Sequence, residues 1–294
     1  MRGPRTRLRF DRQHHANVGG VHAAPRQPTP VGGMGMVIDC HAHLTGAPND
    51  VTIHWGVPDE KVIADSERLG IDAMCVSLLT RHRPATPDGF RTCNRLLAEI
   101  TRRYPGRVFG YCYVNPGYQR EAVEEIHRCI EEYGFIGVKL YNEYKCLDPV
   151  VAPIVETAIA LRVPILHHAG HSHYYVADQP NMSDGGELAE LARRYPEATL
   201  ICAHVGGGGD WEWTIKAVQP APNVYLDTSG SVFDAGMVEM AARLLGPERL
   251  LFGCDLSYTA GLGKIQAAAL PEEAKRRILG ENMQRLLAQR ESQC

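Results

Sequence analysis

From Met36 onward the chain alternates short, β-rich apolar runs with amphipathic stretches. The runs cover Val37 to His41, Ile71 to Leu79, Val108 to Val114, Phe135 to Tyr141, Val163 to Ala169, Thr199 to Val205, Val224 to Thr228 and Leu250 to Asp255. Several are nearly continuous in apolar residues, as strands covered on both faces are. Between them, Gly89 to Tyr104, Arg120 to Tyr133, Pro149 to Leu161, Gly186 to Tyr195, Ala235 to Leu245 and Pro271 to Leu287 carry apolar residues at three- and four-residue spacing. That spacing predicts helices with one buried face. Tyr104-Pro105-Gly106, Tyr133-Gly134 and Tyr195-Pro196 each set a breaker just before the next run. Strand and helix in alternation predict a parallel sheet with crossover helices. Eight such units close a ring more naturally than they build an open sheet, so the expected fold class is α/β, a (β/α)8 TIM barrel. No Gly-x-Gly-x-x-Gly follows the first run, which weakens a dinucleotide-binding alternative.

The leading segment reads differently. Residues 1–35 are rich in Arg, Pro and Gly and have no apolar periodicity, so they are expected to be a disordered extension. Met34 and Met36 stand directly before the first run, and a start assigned too far upstream is the favoured account of that extension. Residues 36–294 are then one barrel domain, a size that such barrels commonly reach.

Composition narrows the function classes. Hydrophobic residues make up 44% and charged residues 22% of the 294 positions, which fits a globular chain. A formal net charge of -3 gives no electrostatic reason to expect nucleic acid or an anionic membrane surface. No apolar run approaches the length of a membrane span, and no secretory leader is legible. Nine cysteines without a Cys-x-x-Cys pair read as reduced thiols, which points to the cytoplasm. The expected partner is a small-molecule substrate, with self-association left open.

The chemistry concentrates at the ends of the predicted strands. In Asp39-Cys40-His41-Ala42-His43 the two histidines are two residues apart, so their rings share one face of a strand. Packing histidines would satisfy that pattern as well. The fifth run ends in His167-His168-Ala169-Gly170, the sixth in Ala203-His204-Val205-Gly206 and the eighth in Gly253-Cys254-Asp255. A barrel gathers the C-terminal ends of all its strands around one opening, and imidazole with carboxylate suits Zn2+ and similar divalent ions. His167 must face away from His168 in a regular strand and reads as a packing residue. Cys40 and Cys254 are expected on the face opposite the neighbouring candidates, as core residues.

With these motifs in order the chain resembles the amidohydrolase superfamily, in particular its amidohydrolase-related branch of metal-dependent hydrolases and decarboxylases. Asp-Cys-His-Ala-His at 39 to 43, Gly-Val-Lys-Leu-Tyr at 137 to 141, His-His-Ala-Gly at 167 to 170, Ala-His-Val-Gly-Gly at 203 to 207 and Leu-Phe-Gly-Cys-Asp at 251 to 255 carry the likeness. It implies that His41, His43 and His168 ligate a metal and that Asp255 binds the metal or the attacking water. His204 becomes a further ligand or a residue that polarises the substrate. The implied cofactor is a divalent metal, Zn2+ first, with Mn2+ or another divalent ion as alternatives. Water held by a dication loses a proton near neutral pH, and Asp255 stands as its acceptor. In binuclear members a carboxylated lysine at the position of Lys139 bridges two metals. One metal is commoner in this branch, so Lys139 is read first as a substrate-binding or electrostatic lysine.

Loops after the strands build the substrate pocket of a barrel. Arg81, His82 and Arg83 follow the second run and suit a carboxylate or phosphate, although a solvated basic loop has the same composition. His171, His173, Tyr174 and Tyr175 after the fifth run, with Tyr141 and Tyr144 after the fourth, are further candidates to line the pocket. The leading expectation is hydrolysis of an ester, lactone or amide of a small anionic molecule. Non-oxidative decarboxylation of a small unsaturated or aromatic acid is the alternative, and a non-catalytic binding barrel stands third.

Overall fold

The computed structural model describes residues 35–46, 49–171, 179–205, 209–230 and 234–291. The expected disorder of the leading segment therefore lies outside the described residues, apart from Gly35. Eight strands form one sheet in sequence order: β1 Ile38–His43, β2 Ala73–Ser77, β3 Val108–Tyr113, β4 Gly137–Leu140, β5 Ile165–His167, β6 Leu200–Cys202, β7 Val224–Asp227 and β8 Leu250–Leu251. Every neighbouring pair is parallel. The ring closes where Cys40 N–H donates to Phe252 O at 2.8 Å. This is the (β/α)8 barrel that the alternation predicts.

The helices are α1 Asp59–Arg68, α2 Pro87–Arg103, α3 Gln119–His127, α4 Ala152–Ala160, α5 Gly185–Arg194, α6 Trp211–Val218, α7 Met237–Leu245, α8 Tyr258–Ala267, α9 Glu272–Arg276 and α10 Asn282–Glu291. Helix α2 shows how local sequence sets them. Thr86 Oγ1 accepts the Gly89 N–H, Pro87 opens the first turn, and Phe90, Cys93, Asn94, Leu97 and Ala98 bury one face. Asp184 and Glu187 form a reciprocal capping box at α5. Among the described residues no helix is long and apolar enough to cross a membrane.

Strand alternation sorts the core into two layers. Ile38, Cys40, Ala73, Cys75, Tyr111, Leu166, Ile201, Ala203 and Leu251 form a cluster inside the ring, which Met283 and Leu286 of α10 join. Met74, Val76, Cys112, Val138, Leu140, Ile165 and Cys202 pack outward against the helices. Cys40 thus lies inside the ring with the strand-end chemistry, whereas Cys254 packs with the outer layer as expected. The pairing of β1 with β2 shifts register between Asp39 and Ala42. Such an irregularity lets Cys40, His41 and His43 all approach the interior despite strict alternation.

Candidate metal centre and acid-binding rim

Strand β1 delivers His41 and His43, whose ring centroids stand 5.1 Å apart. By alternation, Val138 and Leu140 point outward, so Lys139 of β4 points in and is fully buried. Lys139 Nζ donates to His41 Nε2 at 2.9 Å. The last residue of β7, Asp227, sets Oδ2 2.6 Å from His41 Nδ1. Beyond β8, Asp255 brings Oδ1 to 3.2 Å from His43 Nε2 and 3.8 Å from His41 Nε2, and Oδ2 to 3.5 Å from His204 Nδ1.

His204 reaches the interior by a different device. It is two residues beyond outward-packed Cys202, so alternation alone would turn it toward the helices. Its backbone sits at φ 59°, and Asp255 and Leu256 at 45° and 69°. L-residues rarely adopt that left-handed region, and its use at both catalytic candidates matches the strain found at functional sites. His204 Nε2 meets His168 Nδ1 at 3.0 Å, and His204 Nδ1 meets Ser229 Oγ at 3.0 Å. Ser229 Oγ in turn donates to Asp227 Oδ2 at 2.8 Å.

Burial tunes these groups. It holds His41 and His168 well below the usual imidazole range, and it takes His204 to about 3 and His167 to about 4. Burial opposes ionisation of Asp255, but the His41, His43 and His204 imidazoles outweigh it and hold the carboxyl well below the usual range. Desolvation brings Lys139 down to about 8, against the pull of Asp255 and Asp227. An ionised carboxylate and neutral imidazoles are the forms that ligate cations.

The donor set fits a divalent ion. One ligand atom each from His41, His43 and Asp255 lies within 4.8 Å of the others, and the same holds for His41, His204 and Asp227. The second group contains a residue that sequence reading passed over, Asp227. Its only sequence signal is a carboxylate closing an otherwise apolar strand, Val224 to Asp227. His168 stands in neither group; its Nε2 lies 3.0 Å from Gln179 Oε1. His167 faces away, as alternation requires, with Nδ1 on His168 O at 2.8 Å.

On one side of the opening the rings form a continuous stack. The Arg83 guanidinium carbon lies 4.2 Å from the Tyr141 ring centre, and Tyr141 stacks on His168 at 4.3 Å. Across the site Trp55, another residue missed from sequence, stacks on His43 at 5.4 Å. Glu143 sits beside this rim, taking the Tyr113 hydroxyl hydrogen bond and facing Arg83. Burial raises its pKa, which the Tyr113 bond and Arg83 only partly offset. Arg81 is exposed, anchored by its N–H to Val51 O at 2.7 Å. His171 instead packs on Trp213 at 3.9 Å, between the Asp184 and Asp210 carboxylates. His173, Tyr174 and Tyr175 lie outside the described residues.

A parallel barrel with imidazoles and a carboxylate converging at the C-terminal rim defines a metal-dependent enzyme class. The family model described as amidohydrolase matches residues 38–288, and the chain belongs to that family. It is similar to a 2-keto-4-carboxy-3-hexenedioate hydratase from Sphingobium sp., 23% identical over 293 residues that cover 76% of this chain and 84% of the relative. It is also similar to a gamma-resorcylate decarboxylase from Polaromonas sp., 26% identical over 243 residues, 64% of this chain and 74% of that one. Among solved structures, a 5-carboxyvanillate decarboxylase from Novosphingobium aromaticivorans, complexed with manganese and a nitrobenzoic acid, superposes with a TM-score of 0.67. It is 16% identical and the match covers 86% of this chain and 96% of that one, a likeness of fold.

Proposed function

We propose that this chain is a metal-dependent hydrolase that cleaves an ester, lactone or amide of a small carboxylate-bearing molecule. The observation that carries the reading is the Asp255 carboxylate, held ionised at hydrogen-bond distance from His43 and within 3.5 Å of His204. A general base of this kind needs a free lone pair, a fixed position and access to the reacting water. Asp255 keeps 30% of its side chain exposed, where the imidazoles around it are buried.

His41, His43 and Asp255 are proposed to hold the ion, with His168 as the fourth candidate from the family pattern. When bound, a divalent ion, Zn2+ first and Mn2+ as the alternative, supplies Lewis acidity to water and to the carbonyl under attack. Asp255 takes the proton from water and returns it to the leaving group. His204 polarises the carbonyl, its ring oriented by the chain of contacts through Ser229 to Asp227. Arg83 and Arg81 receive the substrate carboxylate, because guanidinium forks match planar anions. Tyr141 offers its ring as a floor between Arg83 and His168.

Non-oxidative decarboxylation is the second reading, favoured by the relatives, which act on carboxylic acids. The same rim would grip the acid, and Asp255 or His204 would deliver a proton to the carbon that loses carbon dioxide. Purified protein loaded with Zn2+ or Mn2+ is assayed on a lactone and ester panel and, in parallel, on aromatic and unsaturated acids for carbon dioxide release. Turnover on the first panel alone supports hydrolysis, and carbon dioxide release alone replaces it with the lyase reading. A protein that binds less than about half an equivalent of metal and turns over neither panel sinks both. A cytoplasmic location is proposed as well, since all eight cysteines of the described residues are buried and unpaired.

A further inference from the structure

Lys139 is the one cationic side chain among the described residues that is fully buried, and the mechanism above does not use it. Its Nζ is spent on a particular atom, His41 Nε2, at 2.9 Å. The other nitrogen of that ring, Nδ1, is taken by Asp227 at 2.6 Å. With Nδ1–H donating to the carboxylate, Nε2 is left with a single lone pair. That lone pair can accept the lysine hydrogen bond or ligate a metal, and it cannot do both.

We propose that Lys139 is a positioning residue that competes with the metal for His41, so that it weakens metal binding and restricts the site to one ion. The inference rests on reading His41 as a ligand. For an ion to bind His41, the lysine nitrogen must leave Nε2, and giving up that buried hydrogen bond costs free energy. An ion at His41 also stands close to the lysine ammonium in a buried setting, where repulsion is poorly screened. Asp255 from the turn after β8, Asp227 at the end of β7 and Glu143 from the loop after β4 all act on Lys139 as negative charges.

The opposite role is chemically defined. If Lys139 Nζ attacked carbon dioxide, an N–C bond would form, a proton would be lost, and the resulting carbamate would add an anionic ligand able to bridge two ions. Lys139 would then strengthen metal binding instead of opposing it. The two roles differ in the sign of one measurement.

The full chain, stripped with a chelator, is titrated with Zn2+ and separately with Mn2+ against a competing metal-sensitive dye, with and without added bicarbonate. Wild type is compared with Lys139→Met and Lys139→Gln. The expected result is one ion per wild-type chain, no change with bicarbonate, and a Kd at least about tenfold lower in both variants. Lys139→Gln keeps polar contact with His41 while removing the charge, so it decides the matter if the methionine variant fails to fold. Equal or weaker binding in Lys139→Gln overturns the proposal. So does a bicarbonate-dependent second equivalent in wild type, which needs no variant at all. A wild-type chain that binds no metal refutes the ligand reading itself, and that outcome is distinct from binding that Lys139 does not affect.

Discussion

His41 Nδ1 and Asp227 Oδ2 stand 2.6 Å apart inside the barrel, on strands β1 and β7 that do not pair with one another. The contact favours the proton on Nδ1 of His41 and leaves Nε2 facing Lys139 at 2.9 Å, with Asp255 at 3.8 Å. A ligand imidazole braced by a carboxylate is a recurrent arrangement at metal sites.

Replacing that carboxylate with an amide should loosen the ring without emptying the space. Asp227→Asn is expected to raise the metal Kd about 10- to 100-fold, with activity recovered only at high metal concentration. Titration against a competing dye gives the number. Unchanged affinity would remove Asp227 from the site.

Gly253 bears on the same carboxylate from the other side. A Cβ built there would collide with Asp227 Oδ1. Gly253→Ala should therefore cost about 1 to 3 kcal/mol and displace Asp227. A thermal melt and a metal titration should both register it, and a variant indistinguishable from wild type in both would contradict the packing described here.

Arg83 should act on binding more than on chemistry. Arg83→Met is expected to raise KM for an acidic substrate about tenfold or more while leaving kcat nearly unchanged, because a hydrogen bond to a charged group contributes about 1.5 to 3 kcal/mol. Arg83→Lys should recover only part of the loss, since an ammonium lacks the planar fork. A fall in kcat at constant KM would place Arg83 elsewhere in the reaction.

Glu143 supplies a pH dependence of stability. Burial raises its pKa, so the folded chain holds that proton more tightly than the unfolded chain does. The resulting stabilisation is complete below the ordinary value of 4.5 and is lost as pH rises through the raised folded value. Glutamine carries no such proton. The melting temperature of Glu143→Gln relative to wild type should therefore climb as pH rises from 4.5 through the raised folded value. A flat difference across that span would mean that Glu143 ionises in place without cost.

The barrel was legible because continuous apolar runs and helical spacing are local properties. Strand alternation also turned His167 away from His168 before any contact was known. The two histidines of β1 converge as expected, although the strand runs to His43 and shifts register on the way. Directions set by the backbone or by distant partners were not legible, even for residues named from the sequence. Alternation sends His204 outward with Cys202, and only a left-handed backbone brings it in. Asp227 gains meaning from His41 and Gly253, which are far from it in the chain. His171 sits after a strand end like its neighbours but is captured by Trp213 and two helix-capping aspartates.

Asp39 receives the N–H of His41 and that of Cys254, each at 3.0 Å, at the seam where the first and last strands meet. The proposed ligands therefore come from opposite ends of the barrel sequence and share one clasp. A chain still emerging from the ribosome would carry both β1 histidines long before Asp255 exists to join them. Assembly of the centre thus waits for the final strand to dock, and metal retention becomes a direct readout of whether the whole ring has been completed.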